Sequence, residues 1–330
     1  MSDLLTVKPD MPDPDGTPSS PGRLKKWLIW CAMAAFLAWC AIGFRRDIAQ
    51  IELHMLQPAW PAIPAAAGLS LFNYVLRIWR WHWYLSHQGH ALPVRFVSLT
   101  FMAGFAFTLS PGKLGEMARA RYYQAHGVPL SAVSGAFFVE RILDLLAMIL
   151  LAFAALLGTD QYRGLVWVAA GVAIGLLMVI ALCPWNRVSV WLERRPHPVA
   201  GLKVLVGTMV SARQLLSPGM LLAGLALGVV SWGGEAAGLK LVADAMVPGQ
   251  LSWSGAASAY AVAIIAGALS FLPGGLGSTE AVMAALLMAH GFSAPLAILL
   301  TLICRLLTLW LAVVIGWACV WLLRRETSSF

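Results

Sequence analysis

The sequence predicts an all-α integral membrane protein with six transmembrane helices and two re-entrant helical hairpins in an inverted repeat. Three observations predict this fold class: the composition, a succession of long apolar segments, and two proline–glycine breaks inside apolar sequence. Hydrophobic residues make up 60% of the 330 residues, charged residues 12%, and 15 residues are tryptophan. A soluble protein of this length needs more polar surface, so we expect a multi-span membrane protein.

The net charge of +8 does not indicate nucleic-acid binding. The basic residues lie beside apolar segments and do not form one patch, which is typical of topology determinants and of contacts with anionic lipid. We therefore expect membrane lipids, anionic or phosphate-bearing, as partners and no nucleic acid.

The chain begins with a polar segment. Residues 1–22 are rich in proline, aspartate, serine and glycine and cannot bury enough apolar surface to offset the entropy of ordering, so they predict a disordered cytoplasmic tail. The membrane domain is expected over residues 23–325, with residues 326–330 as a second short tail. Its first span is predicted at Trp27–Phe44.

The second span is predicted at Trp60–Leu85 and ends in the segment LRIWRWHWYL. Tryptophans and arginines near the end of a span are typical of a membrane interface. Arg77 and Arg80 are therefore interpreted either as part of an anchoring belt or as groups that bind lipid phosphate.

The first hairpin is predicted from a short apolar run, Val94–Leu109. A helix of this run would be ~24 Å long, short of the ~30 Å hydrocarbon core. It stops at Ser110–Glu116, which contains Pro-Gly, and a short helix over Leu114–His126 is expected to follow and to end at Gly127. With the span expected at Ser131–Leu157, this completes a first hairpin repeat over residues 94–157.

Two further spans and a basic connector separate the first hairpin repeat from the second. The spans are expected at residues 163–182 and 218–242. The connector, residues 184–217, carries apolar residues at helical spacing from Leu202 to Val210, which predicts a helix lying on the bilayer surface.

The second hairpin repeat is predicted over residues 254–323, around the break FLPGGLGSTE. Proline and glycine end the helix over Ser254–Phe271, and the freed backbone groups need partners inside the protein or in a wet cavity. The next helix, Gly277–His290, would point its N-terminal amides into that cavity, which favours an anion. The last span is expected at Pro295–Leu323.

The two hairpins match each other residue by residue. Arg141 follows Glu116 by 25 residues, and Arg305 follows Glu280 by the same number. Three spans lie between the hairpins, and an odd number inverts the second copy, which is typical of transporter folds. The tail, the connector and the C-terminus share one side and together hold the larger number of lysines and arginines, so we expect both termini in the cytoplasm; Arg45 and Arg46 do not fit this pattern.

The intramembrane charges define the candidate site. A charge near the bilayer centre costs about 2.5–3.5 kcal/mol, so each needs a partner or a function. One interpretation is that arginines and glutamates lock the hairpins to the spans; the other is that the arginines hold an anionic headgroup, because guanidinium groups bind phosphate bidentately. The predicted binding residues are Gly112, Lys113, Arg141, Gly274, Gly275, Gly277, Ser278 and Arg305, with Arg77 and Arg80 at the interface.

Five carboxylates are candidates for counter-charges or for proton coupling: Glu116, Glu140, Asp144, Glu235 and Glu280. Arg141 can pair locally with Glu140 and Asp144. The counter-charge of Arg305 stays open between Glu280, Glu235 and a bound anion. No spacing indicates a metal site, a cofactor or a catalytic centre, so we expect a protein that is not an enzyme.

The motifs LRIWRW at 76–81, SPGKLGEMARA at 110–120, VERILDLL at 139–146 and LPGGLGSTEA at 272–281, followed by Arg305, resemble the flippase-like transmembrane region of lysylphosphatidylglycerol synthases, which also exists as a stand-alone membrane protein family. The resemblance covers about residues 25–323. It implies a bacterial inner-membrane translocase for an aminoacyl-phospholipid or a polyprenyl-phosphate-linked lipid. The chain ends at Phe330 without the soluble aminoacyl-transferring domain of the full synthases, so lysine transfer is not expected.

Two other classes of function remain open. A small-anion or ion-coupled secondary transporter would need a water-filled path closed to lipid. A non-catalytic membrane partner of a lipid, hopanoid or glycolipid biosynthesis enzyme would not transport at all. The oligomeric state is not predicted.

Overall fold

The computed structural model describes residues 53–153, 163–194 and 200–327. This part of the chain contains helices and turns but no strand, so the predicted all-α class is confirmed for it. The predicted tail, the first span at Trp27–Phe44 with its flanking basic residues, and residues 328–330 lie outside it.

The helices are numbered from the first described residue. They are α1 (Ala62–His87), α2 (Val94–Phe105), α3 (Ala120–Gln124), α4 (Leu130–Phe153), α5 (Arg163–Leu182), α6 (Trp185–Glu193), α7 (Ala200–Gln214), α8 (Pro218–Met246), α9 (Trp253–Leu269), α10 (Ser278–Ala289), α11 (Ala294–Arg305) and α12 (Leu311–Thr327). Shorter 3₁₀ segments occupy Leu53–Ala59, Pro111–Arg119 and Pro273–Gly275, and a π-helical turn occupies Leu306–Trp310.

Four helical stretches are long and apolar enough to cross a membrane: Ala62–His87, Gly164–Leu182, Pro218–Met246 and Ala294–Arg325. They correspond to four of the spans that the sequence predicts. A fifth predicted span, α4, has 24 residues but carries three charged side chains on consecutive turns. The helices α2 and α9 are apolar and shorter.

The two hairpins end in the same backbone motif. Gly127 and Gly291 have φ of 78° and 90°, a left-handed conformation that glycine adopts without strain. Gly127 N donates to Gln124 O while the next amide reaches Tyr123 O, and Gly291 N donates to Met288 O while the next amide reaches Leu287 O. Both patterns are Schellman caps, as expected for helices that end at a His-Gly pair.

The segment after the first Pro-Gly break differs from the prediction. The sequence predicts one helix over Leu114–His126, but Pro111–Arg119 forms a 3₁₀ helix and only Ala120–Gln124 is α-helical. Gly115 shows why the segment winds tightly: a Cβ there would approach Phe107 Cβ to 3.0 Å and Ser110 Oγ to 2.7 Å. The returning chain packs too closely on the α2 end to admit a side chain.

The connector also differs from the prediction of one surface helix. It forms α6 and α7, and α7 packs against α4. A Cβ at Gly135 would lie 2.8 Å from Ser211 Cβ, and Ser134 Oγ lies 2.7 Å from Thr208 Oγ1. Small residues allow this close packing. The residues of the predicted apolar face therefore have different environments: Val206 of α7 is buried, whereas Leu205 is exposed.

A π-helical turn interrupts the last predicted span directly after Arg305. Such turns leave a carbonyl without its usual partner and often occur at functional sites. Here the Tyr74 hydroxyl donates to Thr308 O at 2.9 Å. The α1 helix thereby holds the turn that positions Arg305.

Candidate functional site

Glu140 is the centre of an arginine cluster inside the helical bundle. Its side chain is buried, and its Oε1 accepts hydrogen bonds from Arg77 Nε at 3.3 Å and Arg77 Nη2 at 3.1 Å. Its Oε2 accepts from Arg119 Nη2 at 3.3 Å. Arg141 places its Nη2 3.0 Å from Glu140 Oε1. One carboxylate therefore neutralises parts of four guanidinium groups, the fourth being that of Arg80.

Asp144, one turn along α4, holds the fourth arginine. Arg80 Nη2 donates to Asp144 Oδ1 at 2.5 Å and to Glu140 Oε1 at 3.4 Å. Arg80 Nη1 donates to Gly224 O at 3.2 Å. Arg141 Nη2 also lies 3.2 Å from Asp144 Oδ2, so the local pairing expected for Arg141 is present.

Arg77 and Arg80 lie inside the helical bundle, whereas both sequence-based interpretations expect them on a surface that contacts lipid. They are 5% and 1% exposed and bind protein carboxylates. Helical spacing explains the difference, because the two arginines and Trp81 share the face of α1 that turns into the bundle. Trp79 lies on another face and is 61% exposed, which suits an anchoring role.

Arg305 forms the corresponding pair in the second hairpin. Its Nε donates to Glu280 Oε1 at 2.6 Å and its Nη2 donates to Gly274 O at 2.8 Å. Among the three counter-charges left open by the sequence, the structure pairs Arg305 with Glu280. The ion pair joins α11 to α10, and the second bond joins α11 to the hairpin turn.

The N-terminus of α10 is occupied by its own carboxylate. Gly277 N donates to Glu280 Oε2 at 2.6 Å. The sequence predicts that this amide binds an external anion, but in the structure its anionic partner is Glu280. Ser278 Oγ bonds Ser270 Oγ at 2.9 Å and Gly275 O at 3.1 Å. In the first hairpin, the side chains at residues 112 and 113 lie outside the described part of the chain.

Glu116 does not form an ion pair with the arginine of its own repeat, in contrast to Glu280. Its Oε1 accepts from Thr108 Oγ1 at 2.8 Å, while Oε2 has no hydrogen-bond partner among the described residues. The structure records no ion pair between Glu116 and a described cation. The two halves of the sequence repeat thus hold their arginines differently: Arg141 binds acids of its own helix, and Arg305 binds the hairpin glutamate.

The two repeat arginines line one cavity of about 270 Å³. Arg141, Asp144 and Arg305 form its polar part together with the backbone of Gly274 and Gly275. Most of the remaining lining side chains are apolar, among them Leu145, Met148, Ile264, Ile265 and Leu309. Arg141 Nη2 is held by the two carboxylates, but the side chain as a whole is 21% exposed and its Nε makes no hydrogen bond to a described residue, so the cavity presents a partly exposed guanidinium beside an apolar wall.

The cavity is open towards the surface of the bundle. Two of its lining residues, Ala268 and Phe271, are exposed, and Phe271 is 70% exposed. Phe271 also has a φ of 53°, the only positive φ of a described non-glycine residue. The open side therefore lies at the end of α9, where the chain turns into the second hairpin.

A second, smaller cavity of about 50 Å³ adjoins the first, because Trp232, Ile264, Arg305 and Leu309 line both. Its wall is mostly polar and carries Glu235.

Glu235 is 2% exposed in this smaller cavity. Its Oε2 accepts from Ser70 Oγ at 2.7 Å and its Oε1 from Asn73 Nδ2 at 2.6 Å. No ion pair joins it to a described cation, in contrast to Glu140, Asp144 and Glu280.

Sequence reasoning missed a polar stripe on the face of α1 that turns into the bundle, and Asn73 and Arg77 of this stripe line the smaller cavity. Ser70, Asn73, Arg77, Arg80 and Tyr84 recur at three- to four-residue spacing, and the first four are 5% exposed or less. A polar stripe of this period in an apolar helix indicates a face turned into a bundle. The distance of Arg77 and Arg80 from the start of α1 indicates the end of a span, but the polar stripe is the signal in the sequence that shows which face of the helix carries them.

Comparison with known proteins agrees with the fold. Residues 27–316 match the family described as lysylphosphatidylglycerol synthase TM region. The chain is also 27% identical over 280 residues to a UPF0104 membrane protein of Methanothermobacter thermautotrophicus, covering 78% of this chain and 82% of that relative. Because the family match extends over most of the sequence, the chain belongs to the family of the lysylphosphatidylglycerol synthase transmembrane region.

Proposed function

We propose that this protein translocates a phosphate-bearing lipid between the leaflets of the membrane. The larger cavity is the binding site for the headgroup. The observation that carries the proposal is that Arg141 and Arg305, which occupy equivalent positions in the sequence repeat, line a single cavity. An aminoacyl-phospholipid or a polyprenyl-phosphate-linked lipid presents the phosphate that such a site would bind.

The architecture proposed for this activity is six spans with the two hairpins entering from opposite faces. The contact between the 3₁₀ segments of the two hairpins and the shared Schellman caps support an inverted repeat, since equivalent elements then meet near the midplane. In this arrangement both termini lie in the cytoplasm and the membrane is the bacterial inner membrane. The protein works without enzymatic chemistry.

The headgroup binds first to Arg141. Its side chain is 21% exposed although Nη2 contacts Glu140 and Asp144, and a guanidinium binds two phosphate oxygens at once. Arg305 is held by Glu280. A phosphate that approaches Arg305 competes with this carboxylate. Exchange between the two anions loosens α10 from α11, and this is the opening step of the alternating site.

The acyl or prenyl chains leave through the open side of the cavity. A volume of about 270 Å³ lies just below the range of ~300–1,000 Å³ for ligand pockets, so it holds a headgroup but not two acyl chains. The exposed residues Ala268 and Phe271 line the opening. Lipid tails there remain in the hydrocarbon phase while the headgroup is shielded.

A liposome assay tests the proposal. A short-chain fluorescent phosphatidylglycerol is placed in both leaflets, and albumin, which does not cross membranes, extracts it from the outer leaflet. The wild-type protein is expected to make the inner-leaflet probe extractable. Ala268→Trp fills the opening without changing an arginine and is expected to slow extraction, whereas Leu222→Trp, at a residue 71% exposed and outside the cavity, is the matched control.

The charge requirement is tested with Arg141→Gln and with the double variant Arg305→Gln/Glu280→Gln, which removes a neutral pair and leaves no unpaired charge. Both are expected to lose extraction of the inner-leaflet probe. Wild-type activity that persists in both variants overturns the proposed site. Flux of a small anion without lipid extraction would instead establish an ion transporter, and neither activity would establish a non-transporting membrane partner.

A further inference from the structure

We propose that Glu235 takes up a proton when the anionic headgroup binds, so that lipid and proton occupy the protein together. The inference rests on the proposed function, because it concerns the ligand of the same site. It follows from the charge balance of the bundle interior and from the hydrogen bonds of Glu235.

The interior charges of the described residues balance each other. Apart from the pair of Lys240 and Asp244, the ionisable Arg, Lys, Asp and Glu side chains that are not exposed are five arginines and five carboxylates: Arg77, Arg80, Arg119, Arg141, Arg305, Glu116, Glu140, Asp144, Glu235 and Glu280. With every group ionised the set is neutral. An anionic headgroup adds a negative charge that nothing in the set compensates.

An uncompensated charge in this environment is costly, because the surrounding helices and lipid have a low dielectric constant. The added negative charge can be compensated in two ways: a cation enters with the lipid, or a carboxylate of the set becomes neutral. The second way needs only a proton. The carboxylate that accepts it should be one whose negative charge no arginine requires.

Glu235 meets this condition. Glu140, Asp144 and Glu280 hold the arginines in ion pairs. Glu116 lies within the electrostatic reach of two arginines, Arg119 and Arg141, whereas the arginine near Glu235 is Arg77, which is bound to Glu140. The two donors to Glu235 are neutral.

The hydrogen bonds of Glu235 suit both protonation states. A hydroxyl can donate or accept, so Ser70 Oγ, 2.7 Å from Oε2, can accept a hydrogen bond from a neutral carboxyl as well as donate one to a carboxylate. Asn73 Nδ2 continues to donate to Oε1 in both states. Glu235 therefore gains or loses a proton without leaving a buried oxygen unpartnered.

The smaller cavity links this carboxyl to the headgroup site. Glu235 and Arg305 both line it, and Arg305 also lines the larger cavity. Asn73 Oδ1, Glu116 Oε2 and Thr308 Oγ1 are buried without partners, and all three residues line the smaller cavity. Its volume of about 50 Å³ exceeds the ~10–15 Å³ that one water needs, so water can carry the proton here.

Several other titratable or charged groups surround Glu235. They are Tyr74 and Arg77 on α1, Glu116 on the 3₁₀ segment of the first hairpin, Tyr260 on α9, and Cys304 and Arg305 on α11. Arg77 and Arg305 are bound to other carboxylates. The two described acids that line this cavity are Glu116 and Glu235, which makes Glu116 the natural control.

Isothermal titration calorimetry with dihexanoyl phosphatidylglycerol tests the inference. Titrations of the detergent-solubilised full chain in two buffers of different ionisation enthalpy count the protons taken up per lipid. We expect about one proton for the wild-type protein, and therefore a tenfold weaker affinity for each rise of one pH unit. Glu235→Gln, which resembles the protonated side chain, is expected to bind the lipid with no proton uptake, whereas Glu116→Gln should keep the uptake.

Each other outcome is decisive. Binding to the wild-type protein without proton uptake overturns the inference and leaves the proposed function intact. Uptake that persists in Glu235→Gln, or disappears in Glu116→Gln, shows that Glu235 is not the acceptor. Absence of any binding to the wild-type protein contradicts the proposed headgroup site itself, and this inference with it. The wild-type proton count needs no variant, so a variant that misfolds does not prevent the test.

Discussion

The Glu140 side chain should contribute more to stability than any other single carboxylate described here. The perturbation is Glu140→Gln, which preserves the shape of the side chain and removes its charge. Arg77, Arg80, Arg119 and Arg141 all place a guanidinium nitrogen within 3.4 Å of Glu140 oxygens. In the variant, Asp144 would remain as the ion-pair partner of Arg77, Arg80 and Arg141, and Arg119 would lose its ion pair.

The expected loss follows from the burial of the cluster. Removing one member of a buried ion pair costs about 3–5 kcal/mol, because the remaining charge is left uncompensated. Glu140 is 0% exposed, so water does not screen this loss. At about 2 °C per kcal/mol, the value for larger domains, the unfolding midpoint should fall by roughly 6–10 °C.

The assay is thermal unfolding of the detergent-solubilised protein, followed by intrinsic tryptophan fluorescence. Glu193→Gln, at an exposed position of α6, is the control and should change the free energy of unfolding by no more than about 0.5 kcal/mol. A Glu140→Gln midpoint equal to that of the wild-type protein would refute the description of Glu140 as the centre of the cluster.

Two further predictions concern packing and the π-helical turn. Gly316→Ala should cost about 1–3 kcal/mol, since its Cβ would lie 2.9 Å from Met102 O, whereas Gly171→Ala, with no atom within 4 Å of its Cβ, should be neutral or stabilising; equal unfolding midpoints would contradict the close contact of α12 with α2. Tyr74→Phe should cost about 0.5–1.5 kcal/mol by removing the hydrogen bond to Thr308 O, and a variant as stable as the wild-type protein would show that the turn does not need this donor.

Local sequence signals predicted the hairpin ends and breaks well. Gly127 and Gly291 end their helices because glycine adopts a positive φ without strain, and this preference depends on the residue itself. Prolines at 111 and 273 interrupt the helices for an equally local reason, the missing amide proton. The partner of Arg305 was narrowed to three candidates, since an intramembrane arginine without an acid in its own helix needs one elsewhere.

Features that depend on contacts between distant segments were not predicted. The sequence predicts Arg77 and Arg80 near the membrane interface because it gives their position along α1. It does not show which face of α1 packs against the other helices. The π-helical turn after Arg305 depends on Tyr74, which is far away in the sequence. The 3₁₀ winding after Pro111 depends on close packing against the end of α2, which no propensity of the segment itself reveals.

The central claim is that the cavity lined by Arg141 and Arg305 binds an anionic, phosphate-bearing headgroup. Native mass spectrometry of the protein, purified from its membrane in mild detergent, measures this most directly, because retained lipids are identified by mass. We expect an anionic phospholipid or a polyprenyl-phosphate-linked lipid on the wild-type protein and its loss from Arg141→Gln combined with Arg305→Gln/Glu280→Gln. Retention of only neutral or zwitterionic lipid, unchanged in the variant, would contradict the claim.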